Sequence, residues 1–289
     1  MQKPAPKKKI FKKQSQRHSG MEYKMKPLPV FDDESPGKNK LLGKKSIITG
    51  GDSGIGRAVA VAFAKEGADV AIIHLKSERK DAEETASYIK EKYGQKCIRV
   101  TANFTKEKNC NEAIQKIAKR FKSVDVLVNN AAVHYPVDDI SKITSKQLLE
   151  TFTVNILSMF WITKATLPFM RKGGSIINTS SVTAYRGTGG LMDYSATKGA
   201  IVSFTRSLSA NLMKKEIRVN GVAPGPVWTP LVPASFSPSK VETYGTDAPM
   251  QRPGQPVEIA PAYVFLASSD GNFISGQFIH VNGGEIVNG

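Results

Sequence analysis

Short apolar runs alternate with longer amphipathic stretches along most of this 289-residue chain. Seven apolar runs, bounded by glycine or polar residues, are typical of buried strands: Lys45–Thr49, Val70–Leu75, Cys97–Thr101, Val124–Asn129, Ser175–Ser180, Ile217–Ala223 and Gln277–Val281. Six helical patterns separate them: Arg57–Glu66, Glu78–Tyr93, Thr105–Phe121, Gln147–Met170, Tyr194–Met213 and Val257–Ala267. β-Branched strands that alternate with helices predict a sheet covered on both faces. We therefore predict an α/β fold: one doubly wound domain with a mostly parallel seven-stranded sheet.

The first forty residues differ in composition from the rest of the chain. They hold eleven Lys and Arg residues against four Asp and Glu, within a formal net charge of +16 for the whole chain. We predict a basic extension over residues 1–40, disordered through Lys26, whose apolar Pro27–Phe31 segment lies along the domain or a neighbouring subunit. A subunit clasp is favoured over an inert solubilising arm, and that over a nucleic-acid or lipid binder. Residues 41–289 form the domain, with a small substrate lobe at about 228–252.

Targeting and metal signals are lacking in the sequence. The extension has no apolar stretch for a signal peptide or a membrane span, so a cytoplasmic protein is expected. Cys97 and Cys110 have neither metal-ligand spacing nor a secretory context, which favours reduced thiols. The four histidines also lack ligand spacing, and we expect no metal.

A glycine-rich loop follows the first predicted strand directly. Gly50-Gly51-Asp52-Ser53-Gly54-Ile55-Gly56 joins that strand to a helix rich in alanine and valine. Glycines allow a tight turn and a close approach of the backbone to a pyrophosphate on the helix N-terminus. The strand, loop and helix together favour phosphate binding over a plain turn.

Tyr194 and Lys198 stand four residues apart, and Ser181 closes the strand that begins at Ser175. Residues i and i+4 share a helix face, so the Lys198 ammonium is expected to lie near the Tyr194 phenol and to lower its pKa toward neutrality. In a lysine-rich chain one such pair is weak evidence. Tyr185 has no lysine at this spacing, because residue 189 is glycine.

In this order the motifs resemble a known family. The chain is similar to short-chain dehydrogenases/reductases from about Leu41 to Gly284, through Thr49-Gly50-x-x-x-Gly54-x-Gly56, Asn129-Asn130-Ala131-Ala132, Asn155, Ser181, Tyr194-x-x-x-Lys198 and Pro224-Gly225 with Thr229. The sequence of the glycine-rich loop and the presence of the extension resemble a bacterial subgroup described as glucose/ribitol-dehydrogenase-like and stress-associated. The resemblance implies a Rossmann domain, NAD or NADP as cofactor, and hydride transfer between a secondary alcohol and a carbonyl.

The resemblance also implies a role for each matching residue. Tyr194 moves the proton, Lys198 lowers its pKa and binds the nicotinamide ribose, and Ser181 holds the substrate oxygen. Asn155 opens its helix and holds a water that links Lys198 to solvent; without the resemblance, a hydrogen bond within its own helix is preferred. The implied cofactor contacts are Gly50, Ser53, Gly54, Ile55, Gly56, His74, Asn103, Phe104, Asn130, Ala131, Tyr194, Lys198, Pro224, Gly225, Val227 and Thr229.

Two departures and the second strand bear on the cofactor. Asn103-Phe104 replaces the usual Asp-Val or Asp-Leu pair, and an asparagine carbonyl still accepts the adenine amino group. Ala132 replaces a glycine, which is a mild change. After the second strand no carboxylate follows at the usual position, and Lys76, Arg79 and Lys80 tilt the choice narrowly to NADP. Ser53 opposes that choice, because NADP-preferring relatives often carry Arg or Lys there.

The long helix over Gln147–Met170 is apolar on more than one face. This pattern predicts a partner subunit, with a second contact near the final strand to make a homotetramer. The favoured function is an NAD(P)-dependent oxidoreductase acting on a small alcohol or carbonyl, with a polyol or sugar among the candidates. The alternative is a non-catalytic dinucleotide sensor or nucleic-acid-associated protein on the same fold. The full set of Asn155, Ser181, Tyr194 and Lys198 favours the enzyme, and the lobe over 228–252, with Tyr185, Met192 and His134 nearby, does not identify the substrate.

Overall fold

A computed structural model describes residues 7–285 of the chain. Its centre is a seven-stranded sheet in which every neighbouring pair is parallel, in the order β3-β2-β1-β4-β5-β6-β7. The strands are β1 (Lys45–Thr49), β2 (Asp69–His74), β3 (Cys97–Thr101), β4 (Val124–Asn129), β5 (Met170–Thr179), β6 (Arg218–Pro224) and β7 (Phe278–Val281). The predicted fold class is confirmed. The strand order reverses between β1 and β4, where doubly wound sheets open a crevice at their carboxyl ends.

Helices cover both faces of this sheet. The main ones are α1 (Gly54–Lys65), α2 (Arg79–Tyr93), α3 (Glu107–Phe121), α4 (Ser145–Phe152), α5 (Ser158–Thr166), α6 (Thr183–Arg186), α7 (Met192–Leu212), α8 (Leu231–Ser235), α9 (Pro238–Glu242) and α10 (Pro256–Ala267). One core lies between the sheet and α1, α2 and α10, and includes Phe63 and Tyr263. The other lies against α3, α5 and the end of α7, and includes Ile114 and Ile162. Among residues 7–285 no helix is long and apolar enough to cross a membrane.

The helix predicted over Gln147–Met170 is interrupted in the structure. A π-helical turn over Thr153–Leu157 separates α4 from α5, and a short 3₁₀ turn over Leu167–Phe169 ends the segment. Pro168 lies within that turn and has no backbone N–H to continue the α-helical bonding pattern. The next strand consequently begins at Met170, five residues before the predicted start. It pairs with β4 through a register shift between Val124 and Val126.

The prediction that the extension is disordered through Lys26 is wrong for the part that the structure describes. Phe11 stacks on Trp228 with 3.8 Å between ring centroids, and the Gln16 N–H donates to the Pro233 carbonyl at 2.8 Å. Met25 is buried in the same small cluster. Composition led to the wrong prediction, because the few apolar residues of this segment find partners in the lobe over 228–252 of its own chain. Residues 1–6 lie outside the described range.

Candidate active site

A cleft of about 1390 Å³ opens at the carboxyl ends of the strands. Its wall includes fifteen of the sixteen cofactor contacts that the resemblance implied: Gly50, Ser53, Gly54, Ile55, His74, Asn103, Phe104, Asn130, Ala131, Tyr194, Lys198, Pro224, Gly225, Val227 and Thr229. Ser181 lines it too, whereas Gly56 and Asn155 do not. The fold therefore brings loops that are distant in sequence to one cavity.

Gly56 lies outside the cleft wall and allows α1 to pack closely against the glycine-rich loop. A Cβ atom at this position would meet the Gly50 carbonyl oxygen at 1.8 Å, so only glycine lets α1 start this near the loop. Gly50 and Gly54 have φ angles of +62° and +51°, in the left-handed region that glycine adopts without strain. The loop thus has the tight turn that lets a diphosphate group approach the backbone closely.

The extension supplies a carboxylate to this loop, which the sequence did not predict. Glu22 is 1% exposed, accepts a hydrogen bond from the Gly54 N–H at 2.6 Å, and pairs with Arg57 at 3.0 Å. Burial raises the pKa of Glu22 to about 7, although Arg57 and the Gly54 N–H oppose that rise. A single glutamate in a lysine-rich segment gave no sequence signal of this contact.

Tyr194 and Lys198 lie on one face of α7, as the spacing predicted. The Lys198 Nζ atom is 5.3 Å from the centre of the Tyr194 ring and donates to the Thr179 carbonyl at 2.8 Å. Burial raises the pKa of Tyr194 to about 12, with a hydrogen bond to Ser181 opposing it, and burial lowers the pKa of Lys198 to about 7. The expected lowering of the Tyr194 pKa is therefore wrong for the protein alone, because burial of the phenol outweighs the hydrogen bond to Ser181.

Asn155 lies in the π-helical turn and is fully buried. Its Oδ1 atom accepts from the Val133 N–H at 2.8 Å, and its Nδ2 donates to the Val133 carbonyl at 2.9 Å and to Thr197 Oγ1 at 3.1 Å. The alternative of a bond within its own helix is thus wrong. The amide instead joins the loop after β4 to α7, and this fixes the relative position of the two elements that face each other across the cleft.

At the other end of the cleft, the loop after β2 does not present the expected cations. Lys76 and Arg79 are exposed and absent from the cleft wall, and Arg79 pairs with Glu83 at 2.8 Å. Glu78 does line the cleft, where its Oε2 accepts from the Leu75 N–H at 2.9 Å and its Oε1 contacts the Ser19 hydroxyl. The structure thus places a carboxylate, and not the cations, beside the position where the second strand ends.

Asp52 adds a second carboxylate to the same end. It is 1% exposed and lines the cleft, and neither side-chain oxygen has a hydrogen-bond partner among the described residues. Burial raises the pKa of Asp52 well above its ordinary value, and the nearby Glu78 charge adds to the rise. Asn103, on the adjacent loop, accepts from the Thr105 N–H at 3.0 Å through Oδ1, which leaves that oxygen one further lone pair for an adenine amino group.

The substrate end of the cleft lies beside Tyr194 and is closed by the lobe over 228–252. Its walls include His134, Phe236 and Tyr244, together with His18 from the extension. Met192 and Tyr185, which the sequence placed nearby, are absent from the wall, and Tyr185 packs instead against His280 with 4.6 Å between ring centroids. No group of three or more His, Cys, Asp or Glu residues within 7–285 is arranged to hold a metal ion.

The sequence model of the enoyl-(acyl carrier protein) reductase family matches residues 50–285. An uncharacterized oxidoreductase of Bacillus subtilis, YhxC, is 58% identical over 284 residues, which are 98% of this chain and 99% of the relative. The NADPH-dependent aldehyde reductase 1 of Arabidopsis thaliana is 47% identical over 96% of this chain and 98% of its own. The glucose and ribitol dehydrogenase of Daucus carota is 48% identical over 93% and 94%.

The fold is also similar to solved structures of short-chain dehydrogenases. A short-chain dehydrogenase from Burkholderia cenocepacia, in complex with NADP, superposes with a TM-score of 0.79 at 30% identity. The match covers 85% of this chain and 98% of that one. The alignment with the Bacillus subtilis relative covers 98% of this chain and therefore includes most of the 40-residue extension.

Proposed function

Because this chain belongs to the short-chain dehydrogenase/reductase family and is an NAD(P)-dependent oxidoreductase, we propose that it interconverts an alcohol and a carbonyl compound of the sugar, polyol or small-aldehyde class. The observation that carries the proposal is the position of Ser181, Tyr194 and Lys198 on one wall of the cleft. The named activities of the carrot and Arabidopsis relatives support this substrate class.

The residues present fit a dinucleotide. The glycine loop leaves no space for a Cβ at Gly56, and a Cβ at Gly225 would meet the Asn282 backbone at 2.6 Å, so both loops are built for close backbone approach. Backbone N–H groups at the start of α1, other than that of Gly54, which donates to Glu22, would hold the diphosphate. Pro224, Gly225, Val227 and Thr229 would hold the carboxamide. When bound, the nicotinamide ring supplies or accepts the hydride.

The chain's own residues carry out the proton transfer. Ser181 donates a hydrogen bond to the substrate oxygen, where negative charge develops. Tyr194 is a neutral phenol at pH 7 and gives its proton to that oxygen during reduction. The phenolate that forms lies near the Lys198 Nζ, whose protonated form stabilises it. Lys198 would then give a proton to the phenolate, and a water molecule held beside Asn155 would return one to Lys198 from solvent.

NADP is the cofactor that the comparisons support, through the NADPH-dependent relative and the NADP-bound structure. One observation on this chain favours NAD as the second candidate. The carboxylates of Glu78 and Asp52 lie on the cleft wall near the end of β2, where an acidic group binds ribose hydroxyls and repels a 2′-phosphate. Both NAD and NADP should therefore be tested as cofactors in the activity screen.

The proposed active form is a cytoplasmic homotetramer. The free thiols Cys97 and Cys110 remain reduced in that compartment. Large apolar side chains on the surface of the α4–α5 segment support a subunit contact there: Leu148, Leu149, Leu157 and Phe160. Phe273, which is fully exposed shortly before β7, marks the second contact.

The deciding experiment is a screen of sugars, polyols and small aldehydes with NAD(H) and NADP(H), read through the absorbance of the reduced nicotinamide. Turnover of at least one substrate pair by the wild type, and its loss in Tyr194→Phe, is the expected result. Binding of a cofactor with no turnover of any carbonyl or alcohol would instead identify a dinucleotide sensor.

A further inference from the structure

His134 is a buried imidazole without a hydrogen-bond partner. Its side chain lies in the loop after β4, and the residue is 7% exposed. Neither Nδ1 nor Nε2 has a partner with hydrogen-bonding geometry among the described residues. Buried polar atoms in folded proteins are nearly always paired, so an unpaired pair of ring nitrogens at a cleft indicates a missing ligand.

The ring lies beside the reacting groups. Its centroid is 5.2 Å from the Tyr194 ring and 5.4 Å from the Phe236 ring, and His134 lines the same cleft as Ser181. A substrate whose carbonyl oxygen meets Tyr194 and Ser181 therefore has its neighbouring carbon atoms near His134. The Phe236 ring packs edge-on against the imidazole, which restricts its rotation.

The imidazole is neutral at physiological pH. Burial lowers the pKa of His134 to about 3, and His18 and Lys198 add to the decrease. The Leu231 carbonyl is near enough to oppose the decrease, but it does not meet hydrogen-bonding geometry with either ring nitrogen. A neutral imidazole has one N–H donor and one nitrogen acceptor. Either ring nitrogen can therefore pair with a hydroxyl group, which both donates and accepts, whereas the neutral ring offers no charge to a carboxylate or a phosphate.

We propose that His134 binds a hydroxyl group on the carbon next to the reacting carbon, so that the enzyme prefers α-hydroxy carbonyl compounds and the matching polyols. The inference rests on the proposed function and deepens it, because it assigns a residue to the substrate class. A substrate without this hydroxyl leaves the ring nitrogen that would bind it unpaired in a dry site, which costs binding free energy in the transition state as well as in the ground state.

The test compares glyceraldehyde with propanal, which has the same carbon chain and no hydroxyl groups, at concentrations corrected for the hydrated aldehyde. In the wild type, kcat/KM should favour glyceraldehyde. In His134→Leu that preference should fall by about 10-fold to 100-fold, the usual value of one buried hydrogen bond, while kcat/KM for propanal changes little. His134→Gln, which restores a donor and an acceptor, should recover part of the preference.

The matched control is His280→Leu. His280 is half-buried, and its Nδ1, like the ring nitrogens of His134, has no partner among the described residues. It lies on β7 and outside the cleft wall. Its variant should keep the wild-type preference, and cofactor binding in every variant reports correct folding. Equal losses for both aldehydes in His134→Leu, or an unchanged preference, would overturn the assignment. Absence of turnover of either aldehyde by the wild type would instead count against the proposed function.

Discussion

The carboxylate of Glu22 accepts a hydrogen bond of 2.6 Å from the backbone N–H of Gly54, 32 residues further along the chain. Gly54 is the first residue of α1, at the positive end of the helix dipole, where an acidic group is stabilised. Asp81 holds the Glu22 backbone in turn, since its carboxylate accepts from the Glu22 N–H at 2.8 Å. The extension is thereby part of the cofactor loop's support.

Glu22→Ala should lower the free energy of unfolding by about 3–5 kcal/mol, because it leaves Arg57 buried without its partner. Cofactor affinity should fall with it, as the loop loses an anchor. Glu22→Gln keeps an acceptor for the Gly54 N–H and should lose less. The control is Asp33→Ala in the same extension, whose pair with Lys65 is largely exposed on the Asp33 side and is worth at most about 1 kcal/mol. Denaturant unfolding and cofactor titration that rank Glu22→Ala no worse than Asp33→Ala would contradict this role.

Tyr194→Phe should reduce kcat by about 100-fold or more and leave cofactor affinity nearly unchanged, because only the proton carrier is removed. Tyr185→Phe is the matched control: its hydroxyl is buried without a partner among residues 7–285, and its side chain lies off the cleft wall. Steady-state kinetics on any accepted substrate distinguish the two. A Tyr194→Phe enzyme with a substantial fraction of wild-type kcat would rule out the assigned proton donor.

Lys198→Met should change how stability depends on pH. The pKa of Lys198 falls from 10.5 in the unfolded chain to about 7 in the fold, so between these values the unfolded state binds more protons and stability rises with pH. The neighbouring Tyr194 and His134, with pKa values of about 12 and 3, do not titrate in that window. In Lys198→Met this rise should be missing. Denaturant unfolding without cofactor should show the wild type gaining on the variant by roughly 1.4 kcal/mol per unit from pH 7.5 to 9; a constant difference would contradict the buried, neutral amine.

Glu78→Gln should shift the cofactor preference toward NADP by roughly 3- to 10-fold, because it removes a negative charge near the ribose and keeps an acceptor for the Leu75 N–H. The Lys76→Ala, Arg79→Ala double variant should leave the ratio of the two affinities unchanged, since both side chains lie off the cleft wall. Calorimetric titration with NADP and NAD measures both ratios. A selective loss of NADP binding in the double variant would restore the cations to the 2′-phosphate.

Phe160→Glu should shift the proposed tetramer to dimers. Phe160 is 51% exposed and packs on Phe204 with 4.2 Å between ring centroids, so a charge there would be desolvated in a subunit contact. Leu42→Glu, at an exposed apolar residue away from α5, should leave the assembly unchanged. Light scattering compares the two variants. Identical masses for wild type and Phe160→Glu would exclude this surface as an interface.

The sequence by itself determined the sheet, the glycine loop and the pairing of Tyr194 with Lys198. These features are local: β-branched runs form strands, glycines permit the left-handed turn, and residues four apart share a helix face. Even the order of the motifs along the chain implied one cavity, because parallel strands deliver their carboxyl ends to the same edge of the sheet.

Only the tertiary structure decided which groups are dry and which side chains meet. The sequence expected a lowered pKa at Tyr194, and burial raises it. It assigned the cations after β2 to the cofactor, and the helix start turns Arg79 toward Glu83. It treated residues through Lys26 as disordered, but Phe11 packs on Trp228 and Glu22 accepts from the Gly54 N–H. Desolvation and contacts between distant segments depend on the whole packed chain, and no spacing along the sequence encodes them.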